Sequence, residues 1–342
     1  MGKLSMFVRI TLAFLACIVF VQAADYPEAR IANPQIKAKV YLPDPKTGFY
    51  RGLRFDWSGV ISSLEFAGHD YYGPWFTKVD PSVRDFTYKE GDIVAGSASA
   101  ITGPAEEFQT PLGYDTAKPG ETFVKIGVGV LRKADDTAYS AYKMYELVDS
   151  GKWTVKQAAD SIEFTQVIDS PMSEYSYVYR KTIRLAKDKP EFVMEHSLKN
   201  TGRLPIRSTL YDHNFLVLDR LPTGPGLTVT LPYGIKPVRA PDIRFAQVDG
   251  NQLTYVKALE NQDRVTSGLQ GFGESSSDYD VRVENRKAGA GVHIQGDRPL
   301  KNASLWSIRS VMAVEPFIEV AAELGSEFTW KYTYTYYTVA GQ

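Results

Sequence analysis

The 342-residue sequence predicts an all-β protein, a large antiparallel β-sandwich. Apolar and polar residues alternate with period two through most of the chain, a pattern that presents one face of each strand to a core. Turn residues separate these segments at short intervals, and helical periodicity is hard to find. The clearest predicted strands are TFVKIGVGVLRK (122–133), YSYVYRKTIRL (175–185), EFVMEHSLKN (191–200), GLTVTLPYG (226–234), YDVRVENRK (279–287), AGVHIQGD (290–297) and EFTWKYTYTYYTV (327–339).

The amino terminus has the composition of a signal peptide. Lys3 and Arg9 precede an apolar run over 10–21, which is too short for a membrane anchor, and small residues follow up to Ala23. We therefore predict a signal peptide at 1–23 and export to the periplasm or the medium. No linker or repeat divides the remainder, so 24–342 is predicted to be a single domain.

Cysteine content and charge exclude several classes of function. Cys17 is the only cysteine and lies in the predicted signal, so disulfides, thiolate catalysis and cysteine metal sites are excluded for the exported chain. Removing Lys3 and Arg9 leaves 37 basic against 40 acidic residues, which does not indicate a nucleic-acid partner. The sequence contains no histidine pair at metal-ligand spacing and no aspartate-rich calcium loop, and no cofactor or metal is predicted.

The segment between Gly73 and Gly120 is predicted to be irregular. Its part GPAEEFQTPLGYDTAKPGE (103–121) has few alternating apolar residues. Long irregular segments on a rigid β scaffold are where binding residues collect.

Three of the four histidines have simple interpretations. His69 lies beside turn residues and is predicted at the surface or at the rim of a site. His196 alternates with apolar residues and is predicted to be a hydrogen-bonded core histidine. His293 lies near a turn, and we assign no role to it.

His213 lies in a more polar strand, RSTLYDHNFLVLD (207–219). The same strand face carries Arg207, Thr209 and Tyr211, and such groups are costly to bury unless they have partners or line a wet cleft. From spacing alone, both a packed structural histidine and a site histidine remain open.

LYDHNFLVLD (210–219) resembles the strand that carries the catalytic histidine of the aldose 1-epimerase (galactose mutarotase) family, where the pattern is roughly Asn-His-x-Tyr-Phe-Asn-Leu. Asp212, His213, Phe215 and Leu218 take the positions of its Asn, His, Tyr and Leu. VEPFIEVAAELGSEFTWKYTYTYYTV (314–339) is similar to the family's carboxyl-terminal segment and places Glu315 at the catalytic glutamate. RGLRFDWSGVISSLEFAGHDYYG (51–73) is similar to the opening strands.

The resemblance implies a galactose mutarotase-like supersandwich and a sugar or oligosaccharide substrate. It implies that His213 protonates the ring oxygen while Glu315 takes the proton of the anomeric hydroxyl. Without the resemblance, a strand-end pair between Glu315 and Arg309 would be the simpler interpretation. Further predicted contacts of the substrate are Arg54, Glu107, Lys125, Arg207, Tyr211 and Asn214.

Departures from the family pattern leave other carbohydrate functions open. The family's second histidine, in an Asn-x-Leu-His-Gly-Gly loop, has no counterpart, and the chain offers Glu106 and Glu107 instead. A lyase or hydrolase could use Tyr211 and His213 as acid and base, with Arg207 or Lys125 neutralising a uronate. A non-catalytic sugar-binding protein is the third alternative. It would use aromatic stacking, for which the chain has Trp57, Trp75, Trp153, Trp306 and Trp330.

Overall fold

The computed structural model describes residues 26–340, and the predicted signal peptide lies outside this range. Within 26–340 the chain forms 25 strands and two 3-10 turns, at Leu218–Arg220 and Ser276–Asp278, and no helix there is long and apolar enough to cross a membrane. The strands are β1 (Glu28–Ala32), β2 (Ile36–Tyr41), β3 (Val60–Phe66), β4 (His69–Asp70), β5 (Lys78–Val79), β6 (Phe86–Lys89), β7 (Asp92–Ala95), β8 (Gly103–Phe108), β9 (Thr122–Lys125), β10 (Gly129–Arg132), β11 (Glu146–Asp149), β12 (Lys152–Gln157), β13 (Ser161–Ile168), β14 (Tyr177–Leu185), β15 (Glu191–Asn200), β16 (Ile206–Phe215), β17 (Leu227–Thr230), β18 (Ala246–Asp249), β19 (Gln252–Tyr255), β20 (Arg264–Gly268), β21 (Asp280–Asn285), β22 (Ala290–Gly296), β23 (Asn302–Ile308), β24 (Val311–Ala322) and β25 (Glu327–Thr338).

Two antiparallel sheets dominate the architecture. The larger has ten strands in the order β12-β13-β14-β15-β25-β22-β21-β17-β19-β18, and the smaller has five in the order β20-β23-β24-β16-β8. Three small sheets, β1-β2-β3-β4, β11-β10-β9 and β5-β7-β6, complete the fold. The predicted all-β class is confirmed.

The main core lies between the ten-stranded and five-stranded sheets. On β25, Trp330, Tyr332, Tyr334 and Tyr336 alternate with polar residues and are all buried. They belong to one apolar cluster with inward-facing residues of the smaller sheet, such as Leu210 on β16. Period-two alternation thus marks the core face, as in other sheet-on-sheet packings.

A second apolar cluster covers the outer face of the five-stranded sheet. Tyr211 and Phe215 of β16 contribute to it, together with Phe55, Trp57 and Trp75 from loops that cross this face. Residues Leu210 to Phe215 are therefore all buried. This strand separates two different environments, the main core on its inner face and the covered outer face.

Strand β8 is a correction to the prediction of an irregular segment. Gly103–Phe108 pairs with β16 and is buried along its whole length. Apolar alternation is missing because both of its acidic residues are buried and ion-paired. On the inner face, Glu106 accepts from Lys181 Nζ at 2.6 Å and contacts His196 Nε2 at 2.8 Å. Lys181 also contacts Asp56 at 2.7 Å.

His196 is a hydrogen-bonded core histidine, as predicted. Its side chain is fully buried, Nδ1 lies 3.3 Å from the carbonyl oxygen of Trp330, and the two rings stack in parallel with centroids 4.6 Å apart. The acidic partner Glu106 could not be deduced from spacing, because the two residues lie 90 positions apart in the sequence.

Candidate active site

The register of two strands in the five-stranded sheet brings His213 and Glu315 together. Backbone pairing of β16 with β24 runs as far as Tyr211 opposite Phe317, and it resumes where Leu216 lies opposite Met312. Counting inward from either side places His213 opposite Glu315, so no residue is inserted or omitted. Both side chains point to the outer face of the sheet, the face that carries Tyr211 and Phe317.

The two side chains are in contact at the floor of a cavity. His213 Nε2 lies 3.1 Å from Glu315 Oε1, and the hydroxyl of Ser304, opposite Glu315 on β23, donates to Oε2 at 2.7 Å. The alternative interpretation of Glu315 as a partner of Arg309 is wrong. Arg309 donates instead to the carbonyl oxygens of Gly91 and Asn261.

The imidazole of His213 is fixed by aromatic packing. It stacks on Phe215 with centroids 3.7 Å apart and planes 8° apart, and it contacts the rings of Phe55 and Trp306 edge-on. Nδ1 is buried and has no hydrogen-bond partner within residues 26–340. Burial, and then the cation of Arg54, lower the pKa of His213 well below its ordinary value.

Glu315 is shifted in the opposite direction. Burial raises the pKa of this carboxyl, although the Ser304 hydroxyl and Arg54 act against the shift. Burial therefore disfavours the charged form of each residue. When the pair holds a single proton, the Glu315 carboxyl is the favoured place for it, which leaves both side chains uncharged. Two adjacent groups with opposed shifts can exchange protons with a bound molecule.

The cavity above the pair has a volume of about 450 Å³, within the range of small-molecule sites. One part of its lining is aromatic and another is polar. The aromatic part is formed by Trp75, Phe86, Phe215, Trp306 and Phe317. The polar part includes Arg54, Asp85, Ser99, Gln109, Tyr142 and Tyr211. Within residues 26–340, no group of three or more acidic or histidine side chains could hold a metal ion.

Arg54 is held beside the pair by a buried hydrogen-bond cluster. Its Nε donates to Glu107 Oε2 at 2.8 Å and its Nη2 to the Tyr211 hydroxyl at 2.7 Å, while Tyr211 donates to Glu107 at 2.6 Å. Lys125 Nζ lies 3.4 Å from the other oxygen of Glu107. Burial opposes ionisation of Glu107, but Lys125 and Arg54 hold its pKa below the ordinary value.

The predicted substrate contacts fall into three groups. Arg54 and Tyr211 line the cavity with the His213–Glu315 pair, and Glu107 and Lys125 lie behind them as buried partners. Arg207 and Asn214 do not line the cavity. Arg207 lies six residues from His213 along the strand, a displacement of about 20 Å, which keeps it out of the cavity. Its side chain is 59% exposed and pairs with Glu323. Asn214 points to the inner face, where it contacts Tyr334.

Several cavity residues were not predicted. Asp85 lies in the loop before β6, where its carboxylate accepts from Ser99, and Tyr142 covers the Arg54 guanidinium at 4.8 Å. No periodicity marks these loop residues. Ser304 could have been found, because it alternates with Trp306 on one face of β23. Of the five tryptophans, Trp75 and Trp306 line the cavity.

Comparison with solved structures finds similar chains over most of this protein. A candidate aldose 1-epimerase of Escherichia coli K12 matches with a TM-score of 0.54 and 12% identity, covering 91% of this chain and 99% of its own. A galactose mutarotase related enzyme of Lactobacillus acidophilus gives 0.51 and 14%, covering 92% and 98%. A galactose mutarotase-like protein of Lactobacillus casei gives 0.50 and 12%, covering 91% and 100%.

Searches with sequence alone give no such likeness. No family model matches the chain, and no curated protein matches it. The structural neighbours nevertheless agree with one another, and the chain has the galactose mutarotase-like β-sandwich fold. This confirms the fold expected from the resemblance, whereas a function must be argued from the chemistry of the site.

Proposed function

We propose that this protein interconverts the anomers of an aldose, with His213 and Glu315 as the acid and base. The observation that carries the proposal is the 3.1 Å contact between His213 Nε2 and Glu315 Oε1 at the floor of an open cavity. The anomeric hydroxyl and the ring oxygen of a sugar are bound to the same carbon. A base for the first and an acid for the second must therefore lie side by side.

The reaction needs one proton on the pair. Glu315 takes the proton of the anomeric hydroxyl as the bond between the anomeric carbon and the ring oxygen breaks, and His213 gives its proton to the ring oxygen. After the aldehyde rotates, both transfers run in reverse and the other anomer forms. The pair is ionised, with the proton on His213, before the ring opens, and it is neutral while the ring is open. The buried surroundings stabilise the neutral arrangement and therefore favour ring opening.

The cations around the pair bear on the alternative reaction, elimination at a uronate. A lyase needs a cation that is free to neutralise the substrate carboxylate. Arg207 lies outside the cavity, Lys125 is fully buried against Glu107, and Arg54 contacts both Glu107 and, at 4.0 Å, Asp85. The exposed Arg239 also lines the cavity and has no ion pair among residues 26–340, so elimination at a uronate is the second candidate function, which the uronate polymers below test.

The test is equilibration of freshly dissolved α-anomers of common aldoses, followed by polarimetry or by NMR of the anomeric protons. The wild type is expected to accelerate equilibration, and Glu315→Gln and His213→Gln to reduce the acceleration about 100-fold or more. Glu319→Gln is the matched control, because Glu319 lies on the same strand but is 66% exposed.

Three outcomes would contradict the proposal. The wild type could fail to accelerate equilibration of any neutral aldose or uronic acid. Release of unsaturated product from uronate polymers would favour a lyase instead. Sugar binding that survives both substitutions, without any turnover in the wild type, would favour a sugar-binding protein.

A further inference from the structure

The backbone ladder is broken at the candidate catalytic pair. Leu216 and Met312 exchange both backbone hydrogen bonds, at 2.8 and 3.2 Å, so hydrogen-bonded positions recur at every second residue from there. By that count Asp212 lies opposite Pro316 at such a position. Proline has no N–H, and the carbonyl oxygen of Asp212 therefore faces a residue that cannot donate to it.

The side chain of Asn214 bridges this break. Its Nδ2 donates to the carbonyl oxygen of Asp212 at 3.1 Å and to that of Val314, on the facing strand, also at 3.1 Å. Its Oδ1 accepts from the Tyr334 hydroxyl at 2.9 Å, which ties it to the opposite sheet. Asn214 is fully buried and all these contacts lie on the inner face, away from the cavity.

We propose that Asn214 is a positioning residue that sets the separation of His213 and Glu315. Its amide replaces the hydrogen bond that Pro316 cannot make and holds the two strands at a spacing a regular ladder would not have. This inference rests on the proposed function for its consequence in catalysis. The bridge itself is a property of the fold and can be tested separately.

The location of the bridge supports a role in the site. Asn214 is the next residue after His213, and Val314 is the residue before Glu315, so the amide joins the backbones of both members of the pair. On its other edge, β16 is paired with β8 without interruption from Leu210 to Phe215. The break is thus confined to the edge that faces β24, where the spacing of the pair is decided.

The first part of the test measures thermal unfolding. Asn214→Ala is expected to lower Tm, because two buried carbonyl oxygens and the Tyr334 hydroxyl lose a partner. Pro316→Ala supplies an N–H opposite Asp212, so the double variant is expected to recover at least half of the lost Tm. Failure of Pro316→Ala to raise the Tm of Asn214→Ala would overturn the inference, with or without sugar turnover.

The second part measures kcat and KM in the anomer assay. Asn214→Ala is expected to reduce kcat about tenfold to 100-fold with little change in KM, and the double variant to keep this defect despite its recovered Tm. A regular ladder restores stability but gives the pair the wrong spacing. Recovery of kcat together with Tm would show a merely structural role and overturn the proposal.

Asn200 provides a matched control. It is also fully buried, and its Nδ2 donates to the carbonyl oxygens of Leu204 and Ala322, far along the strands from the pair. Asn200→Ala should lower Tm without the loss of kcat, and an equal loss of kcat would contradict the inference.

A readout independent of turnover is the imidazole of His213. Its nitrogen chemical shifts in Asn214→Ala and in the double variant should differ from those of the wild type and of Asn200→Ala. Unchanged His213 shifts in both Asn214 variants would overturn the positioning role, even if the wild type proved inactive on every aldose.

Discussion

Glu106 and Glu107 are neighbours in the sequence, yet each is buried in a different layer of the protein. Glu106 accepts from Lys181 in the main core, while Glu107 accepts from Arg54 beside the cavity. Strand alternation directs consecutive side chains to opposite faces of the sheet. One strand therefore supplies both an ion pair of the core and the support of the candidate site.

The core ion pairs are expected to matter for stability. Lys181→Met should lower the free energy of unfolding by about 3–5 kcal/mol, because it leaves the buried carboxylates of Glu106 and Asp56 without their shared cation. Lys156→Met, which removes an exposed pair with Glu163, should cost less than about 1 kcal/mol. Denaturant unfolding measures both, and equal small losses would contradict this assignment.

Asp85 is expected to contribute to substrate binding. Its carboxylate lines the polar side of the cavity and can accept hydrogen bonds from sugar hydroxyls. Asp85→Asn should raise KM about 10-fold to 100-fold and leave kcat within a fewfold of the wild-type value, since hydrogen bonds to charged groups are worth about 1.5–3 kcal/mol. Asp80→Asn, in the same loop region but outside the cavity, is the control. A fall in kcat at constant KM would disagree with a binding role.

The plot of kcat/KM against pH is expected to be bell-shaped, because the His213–Glu315 pair is active only when it holds one proton. As pH rises, the pair loses that proton; as pH falls, it gains a second one. Arg54 lowers the pKa values of both His213 and Glu315, so Arg54→Gln should move both limbs of kcat/KM to higher pH. Arg207→Gln, outside the cavity, should leave the profile in place. A shift to lower pH for Arg54→Gln would contradict this electrostatic account.

Asp212 should make stability depend on pH. Burial, together with Glu106, raises its pKa to about 7 in the folded protein, against about 3.9 in an unfolded chain. Between these values the folded state holds a proton that the unfolded state has lost, so stability falls as pH rises. Asp212→Asn keeps a polar group beside the Tyr334 hydroxyl but cannot ionise, so it should remove this fall.

The comparison for Asp212 is the difference in unfolding free energy between wild type and variant across pH 4 to 8. As pH rises, the variant should become more stable relative to the wild type by more than about 1 kcal/mol. Asp249→Asn, on the exposed face of β18, should show no such trend. A difference that is constant with pH would mean that Asp212 is ionised in the folded protein at low pH.

The prediction of the fold rested on the alternation of apolar and polar residues. The prediction of the site rested on the order of the two motifs that contain His213 and Glu315. The alternating segments became paired strands, and the strand of His213 pairs with that of Glu315 although about 100 residues separate them. Where burial depends on ion pairs instead of apolar side chains, the pattern failed. Strand β8 was missed because the partners of Glu106 and Glu107 come from distant strands and loops.

The sequence by itself determined the β class of this protein and the residues able to act as acid and base, because strand periodicity and side-chain chemistry are local properties. Only the tertiary structure decided which polar residues meet. Arg207 and Asn214 lie near His213 in the sequence but outside the cavity, whereas Asp85 comes from a distant loop to line it. Strand register and the packing of loops on the outer face fix these distances, and both depend on contacts between residues far apart along the chain.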